Sequence, residues 1–568
     1  MRSLTCAPLV VAAWVATAAI AGCGESSGGD AGSGGGGGQG GAGGMGGMGG
    51  DGAGGFEGIP GPFALAYMAE QSRDDFQDLY VGRTNGADNH RVNHEPEVSR
   101  GRVLAFEWNS DGTRIAYLAD DDRLLIPGCS TCLQEVFTSR PDGSDNQKVN
   151  GELTEGGRVE SFKWNPDGTR IAYLATQGAD DIPELYTSTA EGTDNRKVNG
   201  ALVSGDSVSE YRWSPDGSRV AYLVYREADN VREVYSNTHD GTDNRRVNGV
   251  LEANQQVRSF KWSPDGSRIA YVADQATDNL PELYTSAPDG SDNQKVNGML
   301  VLGSQGLHPP LYEWSPDAAR IAYETDQEVV GVRELYTSAP DGSDNQKVNP
   351  PLPTGGNVTG FAWSPDGSRI AYVADQDTEG IVELYTSTPV GSDNRKVNGA
   401  LPAGGFGFVP TFQWSPDGTR IAYFADQDDV FVWELFTSLP NGTENHKVNG
   451  PLQRPTGEVG VYRWSPDSMH IAYRANQDDA DLLELYTSAP DGSDNAKVNG
   501  PLLADGGIDA FEWSPDSGRI AYRAAQDNAG VLEIYSSVWD GSENQRANHD
   551  LPEGGGTLTF SWGPVATP

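Results

Sequence analysis

The chain has 568 residues, and Asp and Glu outnumber Lys and Arg by 81 to 40, a formal charge of −41. Such a surplus excludes a phosphate-binding surface, which draws its affinity from clustered bases, and leaves nucleic acid out of the expected partners. Cationic partners or divalent ions are the favoured direction, with plain solubility as the simpler use of the charge.

At the N-terminus, Arg2 precedes a mostly apolar run from Ala7 to Ala21, too short for a permanent bilayer span and shaped like a signal peptide. The run ends in Ile20-Ala21-Gly22-Cys23, which resembles the lipobox of bacterial lipoproteins. That resemblance implies a lipoprotein signal peptide over residues 1–22 and a lipid on Cys23. The membrane is then reached only through this anchor. Residues 24–62 are dominated by glycine and have almost nothing to bury. With Cys23 they make a tether over 23–62, disordered on compositional grounds, with an r.m.s. reach of roughly 30 Å.

Residues 63–568 carry a repeat. Ten tryptophans stand in register about every 50 residues, at Trp108, Trp164, Trp213, Trp262, Trp314, Trp363, Trp414, Trp464, Trp513 and Trp562. The stretch around Trp262 shows the unit. Arg258 to Trp262 alternates with a period of two, Ser263-Pro264-Asp265-Gly266 suits a hairpin turn, and Arg268 to Ala273 is the second strand. Glu282 to Ser286 is the third, and after Pro288 to Asn293 a short outer strand follows at Gln294 to Asn297. Four antiparallel strands per unit make one blade of an all-β propeller. The segment from Phe63 to Asn93 has strands two to four but no Trp strand, while Thr557 to Trp562 is a Trp strand with nothing after it. The C-terminal strand is therefore expected to complete the first blade and close a ring of about ten, with two smaller rings or an open arc as the alternatives.

The Ser-Pro-Asp-Gly-x-x-Ile-Ala-Tyr core resembles the repeats of TolB-type propellers, the WD-repeat-like blades of bacterial envelope proteins, over roughly residues 63–562. The resemblance implies a propeller in the cell envelope, periplasmic or at the outer membrane or cell surface. The namesake of that group carries an N-terminal α/β domain where this chain has its glycine run, so the fold transfers more readily than any function.

Binding is expected on the face bearing the second turn and the blade-to-blade connections, because those segments vary while the other face repeats. Asp274, Asp326, Asp375 and Asp426 end the second strands, and Glu282, Glu334, Glu383, Glu434 and Glu484 open the third. These carboxylates are expected to converge on a rim that takes a basic peptide or a cation. Asp289, Asp292 and Asn293, on the repeating face, have the oxygen chemistry of a Ca²⁺ site, although Asx side chains also cap turns. The register tryptophans are expected to pack between blades. Trp433 and Trp539 lie outside that register, and Trp433, next to Phe431 in a variable loop, is the candidate for an exposed aromatic contact.

Cys129 and Cys132 lie in the longest connection between second and third strands. Outside the cytoplasm a local disulfide is the expectation; a redox pair would open a helix, and zinc would need two further ligands. His94 and His549 hold matching positions in the first and tenth units, which closure would make neighbours. The propeller contains no nucleophile elbow, Walker loop or His-Glu-x-x-His helix. The leading expectation is a monomeric, tethered envelope lipoprotein that binds a protein or peptide of basic character and carries no catalytic site or resident cofactor. The alternatives are a propeller lyase or glycosidase acting on polysaccharide, and a Ca²⁺-stabilised structural or adhesive protein.

Overall fold

The computed structural model describes residues 64–71, 77–93, 102–121, 133–178, 182–307, 312–453, 457–503, 506–552 and 555–564. The signal peptide, Cys23, the glycine tether, Cys129, Cys132 and His94 lie outside them. Residues 57–568 form one compact unit. Among the described residues no helix is long and apolar enough to cross a membrane.

Blade 5 shows how the repeat folds. Its strands are Val257–Trp262, Ile269–Ala273, Glu282–Ser286 and Gln294–Lys295, each antiparallel to the next, with Trp262 opposite Ile269 and Tyr271 opposite Tyr284. In the first turn the Gly266 N–H donates to the Ser263 carbonyl at 2.9 Å, and Gly266 sits at φ +70°. The Ser263 hydroxyl donates to the Asp265 carboxylate at 2.6 Å, so Ser-Pro-Asp-Gly is a self-capped turn. The two middle strands are buried along their whole length, as expected of strands covered on both faces by neighbouring blades.

Ten such four-stranded sheets are present. Nine follow in chain order. Blade 1 is made of Ala64–Ala69, Asp78–Arg83 and His90–Arg91 with the C-terminal Thr557–Trp562 as its innermost strand, Tyr67 pairing with Phe560. The ring is closed as the truncated first unit foretold. A ring nitrogen of His549 in blade 10 lies 3.0 Å from the Gly86 carbonyl in blade 1, a further contact across the closure.

What joins the blades repeats as faithfully as the strands do. The core lies between sheets, where Tyr271 stacks on Tyr284 with centroids 5.6 Å apart, and equivalent aromatic pairs recur around the ring. Such a pair contributes about 1 kcal/mol beyond area burial. The Trp262 indole N–H donates to the Arg212 carbonyl of the preceding blade at 3.2 Å, and eight of the ten register tryptophans make this bond. Those of Trp108 and Trp314 are buried without a partner. On the repeating face, the Thr285 hydroxyl donates to the Pro340 carbonyl of the next blade at 2.5 Å. Gly290, at φ +82°, lets its turn approach the Arg246 carbonyl of blade 4 so closely that a Cβ would stand 2.1 Å from that oxygen.

Candidate functional site

The expected acidic rim is corrected by burial. Asp274, Asp326, Asp375, Asp426, Glu282, Glu334, Glu383 and Glu434 are all 8% exposed or less, and Glu484 is buried with them. Each glutamate faces a base on the outer strand of its own blade: Glu334 reaches Lys347 at 2.5 Å and Glu434 reaches Lys447 at 2.7 Å, while Glu282 and Glu383 pair in the same way with Lys295 and Lys396. A carboxylate this deep is stable only with a partner, and the repeat supplies one in every blade.

The aspartates have a different task on the variable face. Asp375 accepts the Asn357 N–H of the incoming connection at 2.5 Å and the Gly380 N–H of its own loop at 3.2 Å. Asp326 does the same for Gln305, at 3.3 Å, and Gly331, at 3.1 Å. Asp274 accepts the Gln256 N–H at 2.5 Å. These side chains are staples between loops rather than a surface for a partner.

The calcium reading of Asp289, Asp292 and Asn293 meets the same objection. Asp289 caps its turn by accepting the Ser291 N–H at 2.9 Å. Asp292 is bound to Arg268 at 2.6 Å, and Asn293 is engaged by Tyr271 and by Gln275, the latter at 3.1 Å. The three side chains are thus turned to separate partners. Among the described residues no group of three or more His, Cys, Asp or Glu is placed to hold a metal ion.

Trp433 leads to a different site. In blade 8 (strands Phe412–Trp414, Ile421–Ala425, Glu434–Ser438 and His446–Lys447) the connection that enters the blade contains Phe406-Gly407-Phe408, and the loop before the third strand contains Val430-Phe431-Val432-Trp433. The Phe406 ring stacks on the Trp433 indole with centroids 4.3 Å apart and planes 12° from parallel. Phe431 meets Phe406 edge-on at 5.2 Å, and Phe408 meets Trp433 edge-on at 5.1 Å. Packed as they are, Phe406, Phe408 and Phe431 remain 37%, 38% and 59% exposed. Three exposed phenylalanine rings gathered about a half-buried indole on one loop face are an apolar surface that folding would otherwise bury.

Backbone geometry holds this cluster in place. Val382 of blade 7 bonds on both sides of Phe408, donating to the Gly407 carbonyl at 3.0 Å and accepting the Val409 N–H at 2.9 Å. Asp426, fully buried, accepts the Phe406 N–H at 2.6 Å and the Phe431 N–H at 3.3 Å, so one carboxylate fixes both aromatic segments. Phe431 has φ +65°, a left-handed conformation in which a bulky residue is a true outlier. The corresponding residues of blades 6, 7 and 10 are Gly331, Gly380 and Gly530, also at positive φ. Blade 8 therefore carries an aromatic side chain where its siblings carry none, at a cost of about 1–3 kcal/mol.

Reading the sequence singled out Trp433 and Phe431 but missed Phe406 and Phe408. The signal was present, because Gly-Phe-Gly-Phe interrupts a connection that has no aromatic pair in the other units. Trp539, the other tryptophan out of register, is a packing residue: it stacks on His470 at 4.1 Å, and its carbonyl accepts from Thr487 at 2.6 Å.

Residues 233–391, from the third strand of blade 4 into blade 7, match the family model described as the lipoprotein LpqB beta-propeller domain. That stretch of the chain is thus similar to a propeller carried by a lipoprotein. No curated protein matches the chain. Among solved structures, one described as the crystal structure of the eukaryotic initiation factor is 12% identical, covers 89% of this chain and 98% of its own, and has a TM-score of 0.46. A structure of two prolyl endopeptidases is 14% identical over 70% of this chain, which spans 55% of that one, with a TM-score of 0.35. Likenesses this weak carry no argument.

Proposed function

We propose that this protein is a cell-envelope lipoprotein, anchored through Cys23, whose ten-bladed propeller binds another envelope protein or peptide through the aromatic surface of blade 8. The anchor rests on the lipobox and on the similarity of residues 233–391 to a lipoprotein propeller domain. The binding role is carried by one observation: Phe431 is held in a strained conformation at a position where blades 6, 7 and 10 have glycine and blade 5 has Asn279, and it extends an exposed aromatic cluster. Strain maintained against stability, on a surface loop of an otherwise uniform scaffold, is the mark of a contact site.

The reading is tested by affinity capture on the full chain in detergent, comparing the wild type with Phe431→Gly/Trp433→Val, which carries what blade 7 has at Gly380 and Val382. The expected result is a partner held by the wild type and lost by the variant. A partner retained equally by both would remove blade 8 from the account.

A second reading, action on polysaccharide, rests on the closure seam. A cavity of about 350 Å³ lies there between Trp108 and Trp562, lined also by Phe106, Glu107, Asn109 and Ser561. Burial pushes the Glu107 carboxyl up, and that of Glu512, whose carbonyl accepts the Trp562 indole N–H, up to about 7. A carboxyl raised toward neutrality, as that of Glu512 is, has the character of the general acid in glycoside cleavage. Reducing-sugar release that is abolished by Glu107→Gln or Glu512→Gln would replace the binding reading with this one.

A further inference from the structure

The loops that frame the aromatic cluster share a second property. Residues 376–382, 402–409 and 426–433 contain no Lys, Arg or His, but they contain Asp377, Glu379, Asp428 and Asp429 beside the buried Asp375 and Asp426. Asp377, Glu379 and Asp428 are exposed. Lys447, the base that approaches Asp428 at 3.3 Å, is already held by Glu434 at 2.7 Å. The faces of aromatic rings are themselves negative and attract cations. Ring faces and carboxylates thus act in the same direction, on a chain whose net charge is −41.

We infer, resting on the docking reading above, that the blade 8 surface receives a basic peptide segment of its partner, in which an Arg or Lys side chain lies across the Phe406, Phe431 and Trp433 cluster with its charged head among Asp377, Glu379 and Asp428. The apolar stem of such a side chain covers the rings while its head stays near water, which suits a patch that is apolar at its centre and acidic at its edge. A membrane surface is the competing occupant of exposed aromatics. Anionic headgroups attract polybasic segments, and this acidic border repels them. Specificity then comes from both elements: the rings select a long or planar side chain, and the carboxylates reject an acidic one.

The test uses the full chain in detergent and a labelled peptide of alternating Arg and Leu, with Ser-Leu and Glu-Leu peptides of the same length as comparisons, read by fluorescence anisotropy. The Arg-Leu peptide is expected to bind about tenfold more tightly than the Ser-Leu peptide, and to lose about tenfold in Phe431→Gly/Trp433→Val and again in Asp377→Asn/Glu379→Gln/Asp428→Asn. Both variants change exposed or sibling-compatible positions, and a thermal melt confirms that each remains folded. If the Ser-Leu peptide binds as well as the Arg-Leu peptide and only the aromatic variant weakens it, the cationic inference falls while the docking reading stands. If the charge variant alone weakens binding, the cluster is not the seat and the inference falls. If no peptide binds and Trp433 instead mediates adsorption to vesicles of phosphatidylcholine with phosphatidylglycerol, both fall.

Discussion

The Phe406 ring and the Trp433 indole lie face to face, 4.3 Å between centroids, although 27 positions of chain and two strands of blade 8 separate them. The Asp426 carboxylate brings them together by taking the N–H groups of Phe406 and Phe431. A buried acid that staples loops in blades 5, 6 and 7 serves here to aim an aromatic surface.

Replacing Phe431 separates strain from contact. Phe431→Gly relieves the positive φ and is expected to leave the melting temperature unchanged or raise it by a few degrees, since the relief of about 1–3 kcal/mol offsets the lost ring contacts. Phe431→Ala keeps the strain and loses the contacts, so it is expected to melt lower. Paired thermal melts check the order of the two; alanine melting above glycine would show that the conformation is not strained.

Glu324 gives the ring a pH dependence. It is 1% exposed, neither carboxylate oxygen has a hydrogen-bond partner, and burial pushes its pKa up to about 8, against the opposing pull of Arg333. The folded value exceeds the unfolded one, so the contribution is fully present below about pH 4.5 and is lost as pH rises towards 8. Blades 5 and 7 have Val272 and Val373 at this position. Glu324→Val is expected to be the more stable chain, its advantage growing between pH 5 and 8 by an amount on the order of 3 kcal/mol. Denaturant titrations across that range decide it, and an advantage independent of pH would contradict the buried acid.

The buried acid of each blade and its outer-strand base, Lys or Arg, form a structural pair. Lys295→Met leaves Glu282 buried and unpaired and is expected to cost about 3–5 kcal/mol. Asp274→Asn weakens the staple to Gln256 and costs about 1–2 kcal/mol, with no effect on a partner held at blade 8. Denaturant midpoints and the peptide-binding assay, measured on the same preparations, separate the two roles.

Gly290 tests how closely the blades approach. Alanine there meets both the positive φ and the Arg246 carbonyl, so Gly290→Ala is expected to destabilise by more than the roughly 1 kcal/mol of a simple left-handed penalty. A melting temperature equal to that of the wild type would mean that the interface between blades 4 and 5 is looser than the structure has it.

The repeat made the architecture legible before any coordinates. The Trp262 strand, the Ser263 to Gly266 turn and the unit lacking a Trp strand at Phe63 to Asn93 led to four-stranded blades and to closure by the last strand, because strand period and turn chemistry are local properties. The candidate site was only half legible. Glu282 read as a rim residue because its partner, Lys295, lies on the next strand, and only the packed blade shows the pair enclosed. Trp433 and Phe431 stood out as neighbours in sequence. Phe406 and Phe408 did not, since their approach depends on the pairing of the connection with Val382 and on the Asp426 staple, both of them contacts distant in sequence.

The most direct test of the central claim is site-specific photo-crosslinking in cells that express the full chain, with a benzoylphenylalanine in place of Phe406 and, as the control, of Val390, an exposed apolar residue in a turn of the repeating face. The account predicts a discrete protein adduct from position 406 that is absent from position 390 and disappears in the Phe431→Gly/Trp433→Val background. The same adducts from both positions, or none from 406, would contradict a binding surface on blade 8.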